Sequence, residues 1–372
     1  MAGYYFRLPA IPQLTIPQQS ALNETKQIAL SGGPGTGKSV VSLWRHIINY
    51  HKNPVPCVAS FLSTYTTTLK VYLAACCSAV KDVSYPNAEV YASQNVGTSL
   101  KNSNIIHGRV FKEVIIDEAQ DLPNDYYVQI PSPVSYGADD SQILYPKHCS
   151  RQEYLRCQFP DNVQYVLDKN FRSTQRIMKF AKQVFPSAYI PMSIIQGLQN
   201  NVGEWPILIV TNGDKYEVTN QEQNNAIKQI IDSFKAEDHN IAILVPWQKD
   251  VKTFEQVLDG FGYCKGSDYS SYCHEEYYQT GNGCEKLLNV HLTTFKSAKG
   301  LEFDTVIIPN FHKYKEICGS YNIGWQNFYV ACTRARSNLY LISNDDLPSL
   351  HSVTERSAME THYNSFNDDL PF

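Results

Sequence analysis

The chain has 372 residues, 43% of them hydrophobic and 18% charged, with a formal net charge of −4. That is a globular composition with enough chain for two cores. It holds no apolar run near the ~20 residues that cross a membrane, and no overall basic charge of the kind that advertises nucleic-acid binding. The charge is uneven. After residue 345 the acids Asp346, Glu355, Glu360, Asp368 and Asp369 face one base, Arg356, which leaves the body neutral. The start, "MAGYYFRLPAIPQ", lacks a basic segment followed by an apolar core, so no signal peptide is expected. The ten cysteines are expected to be reduced cytoplasmic thiols.

In chain order, "QIALSG" at 27–32 reads as a short buried strand, and "KSVVSLWRHIINY" at 38–50 has apolar residues at helical spacing. Between them Gly32-x-x-x-x-Gly37-Lys38-Ser39 fits a phosphate-binding loop in full. Its glycines let backbone N–H groups approach phosphates. The expected nucleotide contacts are Gly32, Gly35, Thr36, Gly37, Lys38, Ser39 and Val40. Lys38 would neutralise the β and γ phosphates, and the Ser39 hydroxyl would ligate Mg²⁺. In "FKEVIIDEAQDLP" at 111–123, Val114 to Ile116 form an apolar run of the kind expected in a parallel strand covered on both faces. Asp117 and Glu118 follow at its C-terminal end, where ligands gather in open α/β sheets. Asp117 is the expected second metal ligand, and Glu118 the base that orients and deprotonates water. Further on, "ILIVTNGDKYEV" reads as strand, "QEQNNAIKQIIDSFKAEDH" as amphipathic helix, and "NIAILVPWQKDVKTFEQVLDGFGY" as strand plus helix. Residues 264–289 read as a polar loop. Its Cys264, Cys273, His274 and Cys284 have no standard zinc spacing, so free thiols are expected over a metal site.

Taken together, the loop, "DEAQD" and further stretches resemble superfamily 1 helicases of the UvrD/Rep type. "LTIPQQSAL" at 14–22 resembles the Q-motif, "YGADDSQILY" at 136–145 motif III, and "LDKNFRSTQRI" at 167–177 motif IV. "TTFKSAKGLEFDTVII" at 293–308 resembles motif V and "FYVACTRARSNLYLI" at 328–342 motif VI. The resemblance covers residues 14–342 in the family's order. It implies an α/β fold of two tandem RecA-like P-loop domains, each a parallel sheet flanked by helices. Residues 1–160 would form the first and 161–345 the second, with 346–372 a flexible acidic tail.

The same resemblance implies an ATP- and Mg²⁺-dependent single-stranded-DNA translocase or helicase, moving 3′→5′, that serves DNA repair or phage defence. Gln18 would read the adenine edge, Phe171 would stack on the base, and Gly300 and Glu302 would lie near ribose and phosphates. Gln142 would sense the γ-phosphate. Arg172 and Arg334, both from the second domain, would neutralise it. Ser63, Thr64, Tyr65, Tyr145, Thr294 and Lys296 are the expected nucleic-acid contacts; the family's base-stacking tryptophan after motif III is missing, with Lys147 near its place and Tyr145 the candidate substitute. The intervals after Ser39 and after motif IV leave no room for the family's inserted subdomains. That opens a second reading, an ATPase switch gated by nucleic acid or by a partner such as a nuclease. RNA as the substrate is a third. The end, "NDDLPF", resembles the tip of bacterial single-stranded-DNA-binding proteins. Asp368, Asp369, Leu370, Pro371 and Phe372 would there dock into a partner's basic-lipped apolar pocket.

Overall fold

The computed structural model describes residues 3–52, 59–186, 190, 192–214, 218–235, 238–272, 286–319 and 324–356. Two sheets organise them. The first holds β1 (Ile28–Ser31), β2 (Ser60–Thr64), β3 (Val96–Thr98), β4 (Glu113–Ile116), β5 (Val134–Ala138) and β6 (Val163–Val166), in the order β3-β2-β4-β5-β1-β6. The second holds β7 (Ile207–Val210), β8 (Ile241–Val245), β9 (Ser270–Tyr272), β10 (Val290–Thr294), β11 (Phe303–Ile308), β12 (Ala335–Ser343) and β13 (Glu355–Arg356), in the order β13-β7-β12-β11-β8-β10-β9. All pairings within both are parallel. Two helix-flanked parallel sheets are the α/β architecture expected of tandem RecA-like domains.

The central strands β1, β4, β8 and β11 are largely apolar, with both faces covered. Successive side chains alternate between faces. In the first sheet Ala29, Val114 and Ile116 join one cluster, while Ile28, Leu30 and Ile115 join another. That second cluster continues into the other sheet through Ala242, Leu244, Phe303, Val306 and Ile308, so one apolar core joins the two units. Helix α1 (Ile16–Asn23) starts with a capping box. Thr15 accepts from the Gln18 N–H, and Gln18 Oε1 accepts from the Thr15 N–H at 2.8 Å. Helix α2 (Lys38–Lys52) leaves the glycine loop and buries Val41, Leu43, Trp44, Ile47 and Tyr50. Helix α3 (Thr67–Ala79) buries Leu69, Tyr72, Leu73 and Cys76.

Four expectations need correcting. The boundary between residues 160 and 161 is too early, because β6 pairs with β1 in the first sheet. Residues 1–160 are not wholly a first-domain segment either. The Tyr4 N–H donates to Leu287 O at 3.1 Å, the Tyr5 N–H to Asn240 Oδ1 at 2.9 Å, and Arg7 pairs with Asp304. The chain then crosses to α2, where Trp44 Nε1 donates to Pro9 O at 2.9 Å. Residues 264–289 contain a strand, β9, paired with β10. Residues 346–356 are not a loose tail: Leu350 and Val353 are buried, and β13 pairs with β7. The proposed docking tip, Asp368 to Phe372, lies outside the described residues. Among the described residues no helix is long and apolar enough to cross a membrane.

Candidate functional site

The glycine loop runs from the end of β1 into α2, at the carboxyl edge of the first sheet. Gly35 has φ +73°, and a Cβ there would stand 2.7 Å from Arg172 Cβ, so only glycine fits. The segment after β6 is laced to this loop. The Phe171 N–H donates to Gly35 O at 2.9 Å, and Asn170 Nδ2 donates to Pro34 O at 2.9 Å. Asn170 Oδ1 accepts from the N–H groups of Arg172 and Ser173 at 2.8 and 3.1 Å. The backbone of Arg172 is thus tied to the glycine loop, while Ser173 beside it donates its Oγ to Ala335 O of the second sheet at 2.9 Å, so Arg172 stands at the junction of the two units.

Beside the loop lies a cavity of about 410 Å³. Of the expected residues, Gln18, Gly35, Thr36, Gly37, Lys38, Ser39, Val40, Glu118, Gln142, Phe171, Arg172, Gly300 and Glu302 line it. Gly32, Asp117 and Arg334 stand one contact behind. Gly32 O accepts from Lys38 Nζ at 2.7 Å. Asp117 Oδ2 accepts from Ser39 Oγ at 2.7 Å. Arg334 Nη2 donates to Gln142 Oε1 at 3.0 Å. Gln18 Nε2 donates to Thr36 O at 3.0 Å, so this side chain also braces the loop. Phe171 is among the more exposed large apolar side chains, with Lys169 Nζ 5.4 Å from its ring centre.

The acids are held by the first sheet. The Asp117 N–H donates to Ser63 O at 2.8 Å, which fixes it beyond β4. Glu118 follows with φ 57° and ψ 44°, left-handed backbone that a non-glycine residue rarely adopts and that is common at functional sites. Gln120 bridges the acidic turn to the end of β5: its Nε2 donates to Glu118 Oε2 at 2.6 Å, and its Oε1 accepts from the Asp139 N–H at 3.1 Å. Burial, and then the Glu118 carboxylate beside it, push Asp117 up. Burial alone would also raise Glu118, but the Lys299 and Lys38 ammoniums outweigh it and hold Glu118 low and ionised. Ser39 and Asp117 offer two adjacent oxygen donors, the hard ligands that suit Mg²⁺.

Two basic groups reach across from the second sheet. Arg334 follows the helix Gly324–Cys332, is fully buried, and donates to Gln142. Burial and the neighbouring Arg172 lower it to about 9. Lys299, absent from the expected set, is buried in the turn after β10. Its ammonium lies 2.7 Å from Asp121 Oδ2, 2.6 Å from Gln142 O and 3.3 Å from Glu118 Oε2. Next to it Gly300, at φ +84°, lies so close to α3 that a Cβ would meet Leu69 Cδ2 at 2.5 Å. The expected set also lacks Asn170 and the lining residues Arg7, Leu8, Pro9, Tyr72 and Arg336. Asn170 and Arg336 sit inside the quoted motifs, so that signal could have found them. Arg7 carried none.

The expected nucleic-acid contacts divide. Ser63 and Thr64 are buried inside the first unit, Ser63 Oγ lying 2.6 Å from Ser99 Oγ. Thr294 is buried too, and its Oγ1 accepts from the Ser297 N–H at 3.2 Å to cap the turn after β10. These three side chains are not presented to a ligand. Tyr65, Tyr145 and Lys296 do gather. The tyrosine rings are 5.1 Å apart, and Lys296 Nζ stands 5.0 Å from the Tyr145 ring centre. This cluster joins both sheets, because Tyr65 follows β2 and Lys296 follows β10. Cys264 is exposed and free, and Cys273, His274 and Cys284 lie outside the described residues. Among the described residues no group of three or more His, Cys, Asp or Glu could hold a metal ion.

Comparison with known proteins adds an independent line. Residues 278–346 match the family described as UvrD-like helicase C-terminal domain. A protein of Acanthamoeba polyphaga mimivirus named as ATP-dependent DNA helicase R568 is 26% identical over 253 residues, 63% of this chain and 34% of that protein. The RecBCD enzyme subunit RecB of Chlamydia pneumoniae is 40% identical over 79 residues, 21% of this chain and 7% of that subunit. A solved structure, the C-terminal domain of a possible DNA helicase from Lactobacillus plantarum WCFS1, is 22% identical with a TM-score of 0.34, covering 50% of this chain and 98% of that one. The chain thus spans about a third of the first curated relative and under a tenth of the second. The resemblance drawn from the motifs is borne out.

Proposed function

We propose, from this UvrD-like helicase relationship, that the chain hydrolyses ATP in the cavity between its two sheets to drive movement along single-stranded DNA. One observation carries this reading. Arg334 of the second unit donates to Gln142 of the first, at the wall of a cavity built by a complete phosphate-binding loop. Hydrolysis would then depend on how the two units stand, which couples chemistry to motion.

In this reading Lys38 exchanges the Gly32 and Gly33 carbonyls for phosphate oxygens. Glu118 accepts the proton of the attacking water. Arg172 and Arg334 neutralise charge growing on the terminal phosphoryl group, a task that suits their fixed fork of donors. Ser39 and Asp117 would hold Mg²⁺, which supplies charge neutralisation between the phosphates. The apolar wall of Leu8, Pro9, Leu14, Leu43 and Leu73, with Phe171 at the rim, suits a base. The Tyr65–Tyr145–Lys296 cluster supplies a stacking face and a cation for a single strand.

ATP hydrolysis measured with single-stranded DNA, single-stranded RNA and blunt duplex tests this. Stimulation by single-stranded DNA, absent in Lys38→Ala, is the expected result. Basal turnover that no nucleic acid stimulates would move the reading to a partner-gated ATPase switch. That alternative is favoured by the short helices between β2 and β4, which hold no inserted subdomain. Stimulation by RNA alone would make RNA the substrate. Unwinding assays with opposite overhangs would test 3′→5′ movement. Tyr145→Ala should weaken single-stranded DNA binding by roughly tenfold, the loss of one base-stacking face. Unchanged affinity would remove Tyr145 from the interface.

A further inference from the structure

Five charged side chains form a ladder, of which Arg7, Arg172, Glu302 and Arg336 line the cavity and Asp304 stands behind it. Arg172 Nε lies 3.3 Å from Glu302 Oε2. Arg336 Nη1 lies 2.7 Å from Glu302 Oε1, and Arg336 Nε lies 3.7 Å from Asp304 Oδ1. Asp304 Oδ1 also pairs with Arg7, while its Oδ2 accepts from the Asn240 N–H at 2.9 Å. There are therefore three guanidiniums for two carboxylates.

The two halves of this ladder are built differently. Glu302 and Arg336 flank the Phe303–Ala335 pair, which the register of β11 against β12 places side by side. Their contact belongs to one sheet and persists however the two units move. Arg172 stands at the junction, its neighbours Asn170 and Phe171 bonded to the glycine loop and Ser173 to Ala335 O, so its contact with Glu302 is the one of the two that does not lie within the sheet. It is also the longer of the two contacts to Glu302.

We propose that Arg336 is a positioning residue that frees Arg172 for the terminal phosphate of a nucleoside triphosphate. Taking the sole cation from a mostly buried carboxylate is costly, because the acid is left uncompensated. Here Arg172 can leave while Glu302 keeps Arg336 and Asp304 keeps Arg7. Without Arg336, Glu302 would have Arg172 as its remaining partner in the ladder and would hold it back from the ligand. The inference rests on the ATPase reading and adds a residue and a selectivity to it.

The experiment measures binding of a fluorescent non-hydrolysable ATP analogue and of fluorescent ADP to the full chain. Arg336→Ala should weaken the triphosphate by roughly tenfold, the scale of one charged hydrogen bond, with ADP changed less than about twofold. Arg336→Lys, and Glu302→Gln in the Arg336→Ala background, should each restore triphosphate binding to within about threefold. Equal losses for both nucleotides would show a wall residue without this role and overturn the proposal. A loss that Glu302→Gln does not relieve would overturn it as well. If the unmodified chain binds neither nucleotide, the ATPase reading fails and the proposal falls with it. Normal nucleotide binding without a triphosphate-selective loss sinks the proposal alone.

Discussion

Glu118→Gln is expected to lower ATP turnover by about two to four orders of magnitude while leaving nucleotide affinity nearly unchanged. The substitution keeps the shape of the side chain and removes its charge together with its capacity to take a proton. Glu118 suits that role through its setting. It is buried at the cavity wall on left-handed backbone, with one carboxylate oxygen held by Gln120 Nε2 at 2.6 Å. Lys299 and Lys38 outweigh the burial that would otherwise protonate it. The same ammoniums weaken it as a base, so its pull on a water proton should strengthen whenever Lys299 draws back. Single-turnover hydrolysis alongside equilibrium binding separates the two effects. Turnover within tenfold of the unmodified protein would remove Glu118 as the proton acceptor.

Lys299→Ala should destabilise the protein by roughly 3–5 kcal/mol at neutral pH, the cost of stranding buried carboxylates. Its ammonium compensates Asp121 and Glu118 and ties the turn after β10 to the other sheet. The sign of the pH dependence follows from Asp121. Burial raises its folded pKa to about 6 even against Lys299, and losing Lys299 would raise it further. An acid whose folded pKa lies above its unfolded value burdens the folded state increasingly as pH rises past the unfolded pKa, and in full above the folded one. The burden lifts as pH falls and the folded form takes up the proton. The stability gap between Lys299→Ala and the unmodified protein should therefore be larger at pH 7.5 than at pH 5. Chemical denaturation across that range checks it. A gap that does not change with pH would mean that packing, not charge, sets the loss.

Much of this site could be read from residues close in sequence. The glycine loop, its strand and its helix are contiguous, and their chemistry lies in spacing alone. The same holds for the acids after Ile116, and for strands and helices at 207–210, 221–234, 241–245 and 248–260. Local reading failed where polar sequence hid burial. Ser63 and Thr64 look like an exposed polar strand end, yet β3 covers them by pairing Leu62 with Val96, Ser63 with Gly97 and Thr64 with Thr98. β6 and β13 misled for a related reason. Nothing in four or two residues of extended chain says which sheet they join.

Sequence alone carried the strand, glycine loop and helix at 27–50 and the ordered motifs whose family resemblance implied the parallel α/β class, because hydrophobic period and glycine spacing act over a few residues. Tertiary structure alone decided the couplings. Lys299 meets Asp121 across 178 residues, Arg334 meets Gln142 across 192, and Arg7 meets Asp304 across 297. A charged side chain carries no mark of its distant partner. Packing of the two sheets selects that partner, since a charge drawn out of water requires an opposite charge or a hydrogen-bond acceptor within reach.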